Sequence, residues 1–225
     1  MISKRLQNVV DTVEKNRLTA DIGCDHGYTA IALVKKGIAE NVLATDISEG
    51  SCQKAQNNIT DARLNNRITV YCGNGLEPIK NQRPEAIVIS GMGGTTMSEI
   101  LLAYPEILKK AKQLILQPQK DIYKVRKLLY QYDFEIISEN VFKDEGKIYF
   151  LINAKKGDPV PYTETEYVYG KLNILNPSEA FKEYMEYEYN KFSAALADSG
   201  SEVSENLKKK ADCAREVYQW LNAEK

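Results

Sequence analysis

The chain has 225 residues, 43% of them hydrophobic and 27% charged, a composition typical of a folded protein with one or two domains and unlike that of a disordered chain. Its 30 basic and 31 acidic residues leave a net charge of −1, so bulk charge does not indicate a strongly basic nucleic-acid-binding protein. No uncharged apolar run reaches the roughly 18 residues that a membrane span needs, and the N-terminus lacks the apolar core of a secretory signal. We therefore expect a cytoplasmic protein without a membrane partner.

The cysteines and the single histidine restrict the metal and nucleophile chemistry that the chain can support. No C-x-x-C pair occurs, and the four scattered cysteines are typical of reduced thiols in the cytosol: Cys24, Cys52, Cys72 and Cys213. A zinc site built from Cys24, His26 and distant thiols lacks the usual ligand spacing, so we expect no metal. Because His26 is the only histidine, a Ser-His-Asp triad would depend on it, and no other residue pattern supports one.

Apolar strand-like runs alternate with helical patterns over the first 154 residues, as in βαβ units on a parallel sheet. Ser3 is a suitable N-cap for a first helix, and Ser48 is placed to cap a later one. The predicted strands cover 18–22, 42–46, 67–72, 86–90 and 113–117. The predicted helices cover 3–16, 28–36, a segment after Ser48, 95–103 and 121–131.

The pattern changes after residue 131. Two strand-like runs, 134–142 and 147–154, are joined by four polar or glycine residues and predict a hairpin, so the last strand must run antiparallel to its neighbour. Residues 155–176 show no clear period and are interpreted as a linker. We expect a sheet domain over 1–156 and a second domain, made of this linker and helices, over 157–225.

The C-terminal part of the chain has helical patterns only. Asn176 is the expected N-cap of its first helix, with Pro177 in the first helical position. Gly200 interrupts the pattern, and a second helix then carries a coiled-coil-like seam of apolar residues: Val203, Leu207, Ala211, Ala214, Tyr218 and Leu221. Two such helices joined by a short loop over 198–201 are expected to fold back as an antiparallel hairpin.

The segment Asp21-Ile22-Gly23-Cys24-Asp25-His26-Gly27 lies where the first strand turns into its helix. In open α/β sheets, ligands bind beyond the carboxyl ends of the strands, and glycine there lets the backbone approach a ligand closely. The spacing is not the G-x-G-x-x-G of dinucleotide-binding proteins, which disfavours a nicotinamide dehydrogenase. Its carboxylates would repel a pyrophosphate and suit a ligand with a cationic amine. The alternative is a tight strand–helix turn without a ligand.

Three further strand ends carry candidate ligand-binding residues. Asp46 lies 19 residues after Gly27, a position suited to binding ribose hydroxyls, although strands also end in Asp for capping reasons. Asn74-Gly75 after the third strand offers an amide that could pair with an adenine edge, or forms a plain turn. Gly91-Met92-Gly93-Gly94 after the fourth strand indicates close backbone approach next to a helix N-terminus.

These segments together resemble the S-adenosylmethionine-dependent methyltransferases of the seven-strand Rossmann-like class. More narrowly, the chain resembles the bacterial tRNA (adenine(22)-N(1))-methyltransferase family over nearly its whole length. That resemblance rests on four short motifs and the C-terminal helical hairpin: Ser3-Lys4-Arg5-Leu6, Ala20 to Tyr28, Gly91-Met92-Gly93-Gly94 and Leu116-Gln117-Pro118. It implies an α/β Rossmann-like seven-stranded sheet with a terminal antiparallel strand, followed by a small α-helical domain.

The resemblance also implies roles for particular residues. S-adenosyl-L-methionine would be held by Asp21, Gly23, Asp25, Gly27, Asp46, Ile47, Asn74, Gly75, Gly91, Met92 and Gly93. The candidate catalytic residues are Asp25, His26 and Tyr28, with Tyr28 able to stack on the target base. An Asn/Asp-Pro-Pro-aromatic run, usual in enzymes that methylate the exocyclic amine of adenosine, is absent. Its absence fits attack by ring atom N1, which already has a free lone pair.

The implied macromolecular partner is tRNA. Candidate phosphate contacts are Lys4 and Arg5 at the start of the first helix and Lys208, Lys209 and Lys210 on the last, although a lysine triplet is more often a solvated face. Two alternatives stay open: a methyltransferase acting on a small molecule or a protein, and a non-catalytic cofactor-binding scaffold. The sequence does not fix the oligomeric state, and a monomer is favoured.

Overall fold

The computed structural model describes residues 2–198 and 203–223. The chain separates into two compact units, one made of residues 1–138 and 151–159 and the other of residues 139–150 and 160–225. Within the described segments, no helix combines the length and apolarity required to cross a bilayer.

A seven-stranded sheet forms the first unit and extends into the hairpin. Its strands are β1 (Asn16–Ile22), β2 (Ala39–Asp46), β3 (Ile68–Cys72), β4 (Ala86–Ser90), β5 (Gln113–Gln117), β6 (Phe134–Asp144) and β7 (Lys147–Lys156). Their order is β3-β2-β1-β4-β5-β7-β6. The first five strands pair in parallel, whereas β7 runs antiparallel to β5 with Leu114 opposite Ala154. The predicted Rossmann-like sheet with an antiparallel end is confirmed.

The centre of the sheet is buried on both faces. Ile87, Val88 and Ile89 of β4 are all fully buried, which is typical of a parallel strand covered by helices on two sides. Burying one such side chain contributes about 1.5–3 kcal/mol to folding. The core therefore holds the carboxyl ends of β1, β2 and β4 rigidly side by side.

Six α-helices lie in the described part of the first unit, besides a short 3-10 turn at Glu77–Ile79. They are α1 (Lys4–Thr12), α2 (Tyr28–Lys35), α3 (Glu49–Asp61), α4 (Gly94–Ala103), α5 (Pro105–Lys110) and α6 (Ile122–Gln131). The predicted caps are confirmed, because the Ser3 hydroxyl accepts a hydrogen bond from Leu6 N and that of Ser48 from Ser51 N. Helix α1 ends four residues earlier than predicted. The Gln113 carboxamide bonds to Thr12 O and Glu14 N at 3.0 Å each, which stops the helix.

The second unit contains four helices within its described residues: α7 (Glu164–Tyr169), α8 (Lys171–Leu175), α9 (Glu179–Asp198) and α10 (Glu205–Ala223). Helices α7 and α8 lie in the segment that the sequence analysis interprets as a linker. Thr163 and Glu166 form a reciprocal capping box at the start of α7, and Tyr167 and Tyr169 are buried. Helices of six and five residues are too short to show a helical period in the sequence.

The long helices α9 and α10 lie side by side. Helix α9 is capped by Ser178, whose hydroxyl accepts from Phe181 N at 3.1 Å, and not by Asn176 as expected, because Asn176 ends α8. The rings of Tyr189 and Tyr218 stack with centroids 4.3 Å apart. Gly200 and most of the expected connecting loop lie outside the described residues.

Candidate active site

The loop between β1 and α2 is bonded to the end of β2. The amides of Gly23 and Cys24 donate to Thr45 O at 2.8 and 2.9 Å. Gly23, Asp25 and Gly27 have φ angles of +72°, +49° and +71°, so the loop has three residues in the left-handed region. A left-handed backbone is costly for residues other than glycine. The two glycines of the motif are therefore required by the shape of the loop.

Gly23 also brings this loop against the glycine cluster that follows β4. A Cβ atom built on Gly23 would overlap the terminal methyl group of Met92. The side chain of Met92 consequently occupies the space that any other residue at position 23 would fill. Two segments about 70 residues apart in the sequence meet here in van der Waals contact.

Asp21 is the most unusual polar group of the site. Its side chain is 2% exposed, and its Oδ2 atom accepts no hydrogen bond from any residue that the structure describes. Burial raises the pKa of Asp21 to about 7, a backbone hydrogen bond from Ala30 opposes this shift, and the charge of Asp46 adds to it. A buried carboxylate with an unused acceptor is suited to a cationic or hydrogen-bond-donating ligand.

Asp46 is held at the carboxyl end of β2 by two backbone amides. Its Oδ2 accepts from Asp25 N and its Oδ1 from Ser48 N, both at 2.9 Å. Each carboxylate oxygen has a second lone pair, so both can accept a further hydrogen bond. The side chain is thus oriented toward the first loop with acceptor capacity left for a ligand.

The end of β3 comes close to the same strand end. The Thr45 hydroxyl donates to Gly75 O at 2.9 Å, and Gly75 has a φ of +55°. A Cβ on Gly73 would lie 2.5 Å from Pro78 Cγ, so this turn also needs glycine. Asn74 is exposed between the two glycines, where its amide is accessible to a ligand.

The loop after β4 is joined to the loop after β5 through backbone hydrogen bonds. Gly91 N donates to Gln117 O at 3.2 Å, Gln119 N donates to Met92 O at 2.9 Å, and Gly94 N donates to Lys120 O at 2.7 Å. A Cβ on Gly94 would overlap the carbonyl group of Asp121. The two loops form a floor made of backbone, on which a planar ligand can lie closely.

An aromatic pair lies beside the first loop. The rings of His26 and Tyr28 stack with centroids 5.5 Å apart and planes inclined by 5°. Tyr28 is 45% exposed, and His26 Nε2 lies 3.7 Å from Asp25 Oδ1. Because nearly half of the Tyr28 surface is accessible, the packing of α2 does not use its whole ring.

Residues 2–152 match the family model described as "Methyltransferase domain". The chain belongs to this methyltransferase family. It is 36% identical over 157 residues to the tRNA (adenine(22)-N(1))-methyltransferase of Bacillus subtilis, an alignment that covers 70% of this chain and 66% of the relative, just under two thirds of its length.

Solved structures of relatives match nearly the whole length of this chain. The crystal structure of the B. subtilis M1A22 tRNA methyltransferase TrmK matches with a TM-score of 0.87 and 28% identity, covering 99% of this chain and 98% of that one. The Streptococcus pneumoniae protein Sp1610 in complex with S-adenosyl-L-methionine matches with a TM-score of 0.88 and 29% identity over 97% of this chain and 100% of that one. The resemblance expected from the motifs is confirmed.

The methyltransferase fold brings the predicted cofactor residues to one edge of the sheet. They lie at or just after the carboxyl ends of β1, β2, β3 and β4, which are neighbours in the sheet. Ile47, beside Asp46, is 72% exposed and offers an apolar surface to a ligand. Of the predicted catalytic residues, Asp25 and His26 lie on the first of these loops, and Tyr28 is the first residue of α2.

The predicted RNA contacts divide between the two units. Lys4 is exposed, whereas the Arg5 guanidinium is half-buried and donates from Nη1 to Gln117 Oε1 at 2.9 Å. The lysine triplet of α10 is exposed, and Lys209 lies 3.0 Å from Glu205. Arg5 thus contacts the backbone floor formed by the loops after β4 and β5, as well as lying on α1.

Sequence reasoning assigned no role to Gln117 or to the lysines and tyrosine at the start of α6. Gln117 is 1% exposed, and its Nε2 has no acceptor within the described residues. A polar residue that directly ends the apolar strand β5 is the signal that could have pointed to it. For α6 the available signal is the spacing of Lys120, Lys124 and Lys127, which is helical.

Proposed function

We propose that this protein transfers a methyl group from S-adenosyl-L-methionine to N1 of an adenosine in tRNA, at position 22 as in the B. subtilis relative. The observation that carries the proposal is the buried Asp21 carboxylate, with an unused acceptor, next to a loop that holds Gly23 and Gly27 in the left-handed region. That arrangement fits a cationic ligand, and the chain's family and its relatives specify which one.

The residues present fit this cofactor. Asp21 and Asp25 would provide negative charge for its amino group, Asp46 would provide acceptors for the ribose hydroxyls, and Asn74 would provide an amide for the adenine edge. Gly23, Gly27, Gly75, Gly91 and Gly93 leave the space for it, alongside Ile47 and Met92. When bound, S-adenosyl-L-methionine supplies an electrophilic methyl group on a sulfonium.

The protein's own contribution is positioning. The backbone of Gly91–Gly94 would support the target base from one side, and the exposed ring of Tyr28 can stack on that base. Adenine N1 has a lone pair available, so no base has to activate it before transfer. His26, beside the Asp25 carboxylate, is the candidate for accepting a proton from the cationic product. Lys4, Arg5 and Lys208–Lys210 remain the predicted phosphate contacts.

The remaining parts of the proposal concern organisation and location. We place the activity in a methyltransferase domain over 1–156 and assign 157–225 to an accessory helical domain. The compact units depart from this division only in the hairpin tip 139–150 and in residues 157–159. We further propose a cytoplasmic monomer; the four cysteines are free thiols, as in proteins of a reducing compartment.

The deciding experiment is methyl transfer from labelled S-adenosyl-L-methionine to tRNA transcripts that carry adenosine at position 22. We expect 1-methyladenosine by mass spectrometry of the nucleosides, and no label in a matched transcript with guanosine at that position. Cofactor binding without tRNA labelling would contradict the substrate and favour a small-molecule or protein methyltransferase. Absence of cofactor binding would contradict the whole proposal.

A further inference from the structure

A basic and aromatic surface lies directly beside the Gly91–Gly94 floor. It consists of Lys120, Tyr123, Lys124 and Lys127, which we call the α6 platform. Lys120 is exposed, and its side chain runs along the floor: a Cβ on Gly93 would lie 3.0 Å from Lys120 Cε. The platform is thus continuous with the surface on which the target base is proposed to lie.

Tyr123 is the centre of the platform. Its side chain is 40% exposed, and the Nζ atoms of Lys124 and Lys127 lie 6.0 and 5.9 Å from its ring centroid. These distances are at the outer limit of cation–π contact. Two cations therefore flank an accessible aromatic ring, the combination used to bind phosphates and stack a base.

Part of the platform is held in place by hydrogen bonds. Lys124 Nζ donates to Thr95 Oγ1 at 2.8 Å, and the Thr95 hydroxyl donates to Asp121 Oδ2 at 2.9 Å. These two hydrogen bonds link the start of α6 to the start of α4, at the ends of both helices that lie nearest the floor. Asp121 is engaged with Thr95, and Glu99 lines the adjoining groove together with Lys124 and Lys127.

The core does not explain these residues. Helix α6 buries its other face through Val125, Leu128 and Leu129. A helix surface that is only solvated has no need of a large exposed ring flanked by two lysines. The position of the ring next to the transfer floor favours a binding role.

We propose that the α6 platform binds the RNA strand adjoining the target adenosine, with Lys120 and Lys127 on phosphates and Tyr123 stacked on an unpaired base. This inference rests on the proposed function. Adenine N1 lies on the edge that pairs with the opposite strand in a duplex, so the target must leave its pair before transfer. Unstacked neighbouring bases then need a platform, and every base has a face that can stack on an aromatic ring.

The charge component is tested by the salt dependence of binding to an unmodified tRNA transcript. Each phosphate contact contributes about 0.7 to the slope of log K against log salt for single-stranded segments. We expect Lys120→Ala/Lys127→Ala to lower the slope by about 1.4. The matched control is Lys80→Ala/Lys110→Ala, which removes the same charge from exposed positions of the same unit and should leave the slope unchanged.

The stacking component is tested at Tyr123. We expect Tyr123→Phe to bind the transcript as the wild type does, and Tyr123→Leu to bind it about tenfold more weakly or worse. Affinity for S-adenosyl-L-methionine should be equal in all variants and also shows that each one folds. The platform's proposed role in RNA binding would be wrong if the two lysine variants had equal salt slopes and Tyr123→Leu bound the transcript normally. Methylation of tRNA by the wild-type protein would still support the proposed enzyme activity in that case. A wild-type protein that neither binds nor methylates tRNA would overturn both.

Discussion

Arg5 Nη1 donates a 2.9 Å hydrogen bond to Gln117 Oε1, which joins the N-terminus of α1 to the last residue of β5 across 112 positions of sequence. The same Nη1 would lie 3.5 Å from a Cβ built on Gly91, so the guanidinium also rests against the floor. Arg5 and Gln117 therefore support the loop on which the target base is proposed to lie.

Gln117→Leu should disturb this support. Removing the acceptor of Arg5 in a buried position is expected to cost about 1–3 kcal/mol of stability, measured by urea unfolding. As a positioning residue, Gln117 should also affect kcat for methyl transfer more than KM for tRNA. Gln82→Leu, an exposed change elsewhere in the same unit, is the control and should alter neither quantity. A normal kcat in Gln117→Leu would show that the hydrogen bond between Arg5 and Gln117 stabilises the fold but does not position the target base.

The free energy of unfolding should depend on pH through Asp21. Its pKa is raised to about 7 in the folded protein, so the folded state binds a proton that the unfolded state has lost above pH 4. This contribution is fully present at acidic pH and is lost as pH rises toward 7, by at most about 1.4 kcal/mol per pH unit. Wild type should therefore lose stability relative to Asp21→Asn, which cannot titrate, as pH rises from 5 to 7, and the gap should level off above pH 7; denaturant titration without cofactor measures it. A difference independent of pH would show that Asp21 does not titrate there.

Cofactor binding should respond in the opposite direction. A cationic ligand near Asp21 stabilises its charged form, so affinity for S-adenosyl-L-methionine is expected to rise as pH increases toward 7. Calorimetry at several pH values measures this. The Asp21→Asn variant should bind more weakly and lose that part of the dependence; an identical pH profile in both proteins would contradict the assignment of Asp21 to the ligand.

Gly23→Ala should weaken both folding and cofactor binding. The left-handed φ costs about 1–2 kcal/mol for alanine, and the added methyl displaces Met92. Gly37→Ala is the matched control: its φ is +65° but no atom lies within 4 Å of the added Cβ, so it carries the conformational cost alone. In the Gly23→Ala/Met92→Ala double variant, the part of the lost unfolding free energy that comes from the clash with Met92 should be recovered, and the part that comes from the left-handed φ should not. Equal unfolding free energies for the two single variants would show that Met92 moves aside freely.

Gly94→Ala should be more damaging than Gly93→Ala. The added methyl at position 94 meets the Asp121 backbone carbonyl, whereas at position 93 it meets the flexible end of Lys120. Backbone cannot move aside as a lysine can, so the link between the β4 and β5 loops should open only in Gly94→Ala. Methyl-transfer rates at saturating cofactor and tRNA measure the difference. Similar rates in the two variants would indicate that the loops tolerate separation.

Asp46→Ala should lower affinity for S-adenosyl-L-methionine by about 1–3 kcal/mol, because charged hydrogen bonds to the ribose are lost. The conservative control is Asp61→Asn, an exposed carboxylate at the far end of α3. Isothermal titration calorimetry measures the affinity of both variants for S-adenosyl-L-methionine. Unchanged affinity in Asp46→Ala would remove this residue from the proposed ribose site.

The elements predicted best are those whose sequence has a strong local period. Strand β4 was predicted at its observed bounds because five apolar or small residues end abruptly at a glycine cluster. Helices α7 and α8 were not predicted, since their burial depends on packing that no local pattern reveals. The glycine loops were found because strand ends are recognisable in sequence. The bond between Arg5 and Gln117 was not, because it exists only once the sheet has brought the two residues together.

The boundary between the two compact units crosses the β6–β7 hairpin, whose tip over 139–150 belongs with the C-terminal helices. Within that second unit the Ser178 hydroxyl donates to Val141 O at 2.6 Å, and Phe150 packs edge-on against Tyr184. The polypeptide therefore passes from one unit to the other three times. The second unit is thus built from two separate stretches of chain, so a truncation after residue 159 would remove its helices and leave the hairpin tip without the residues it packs against.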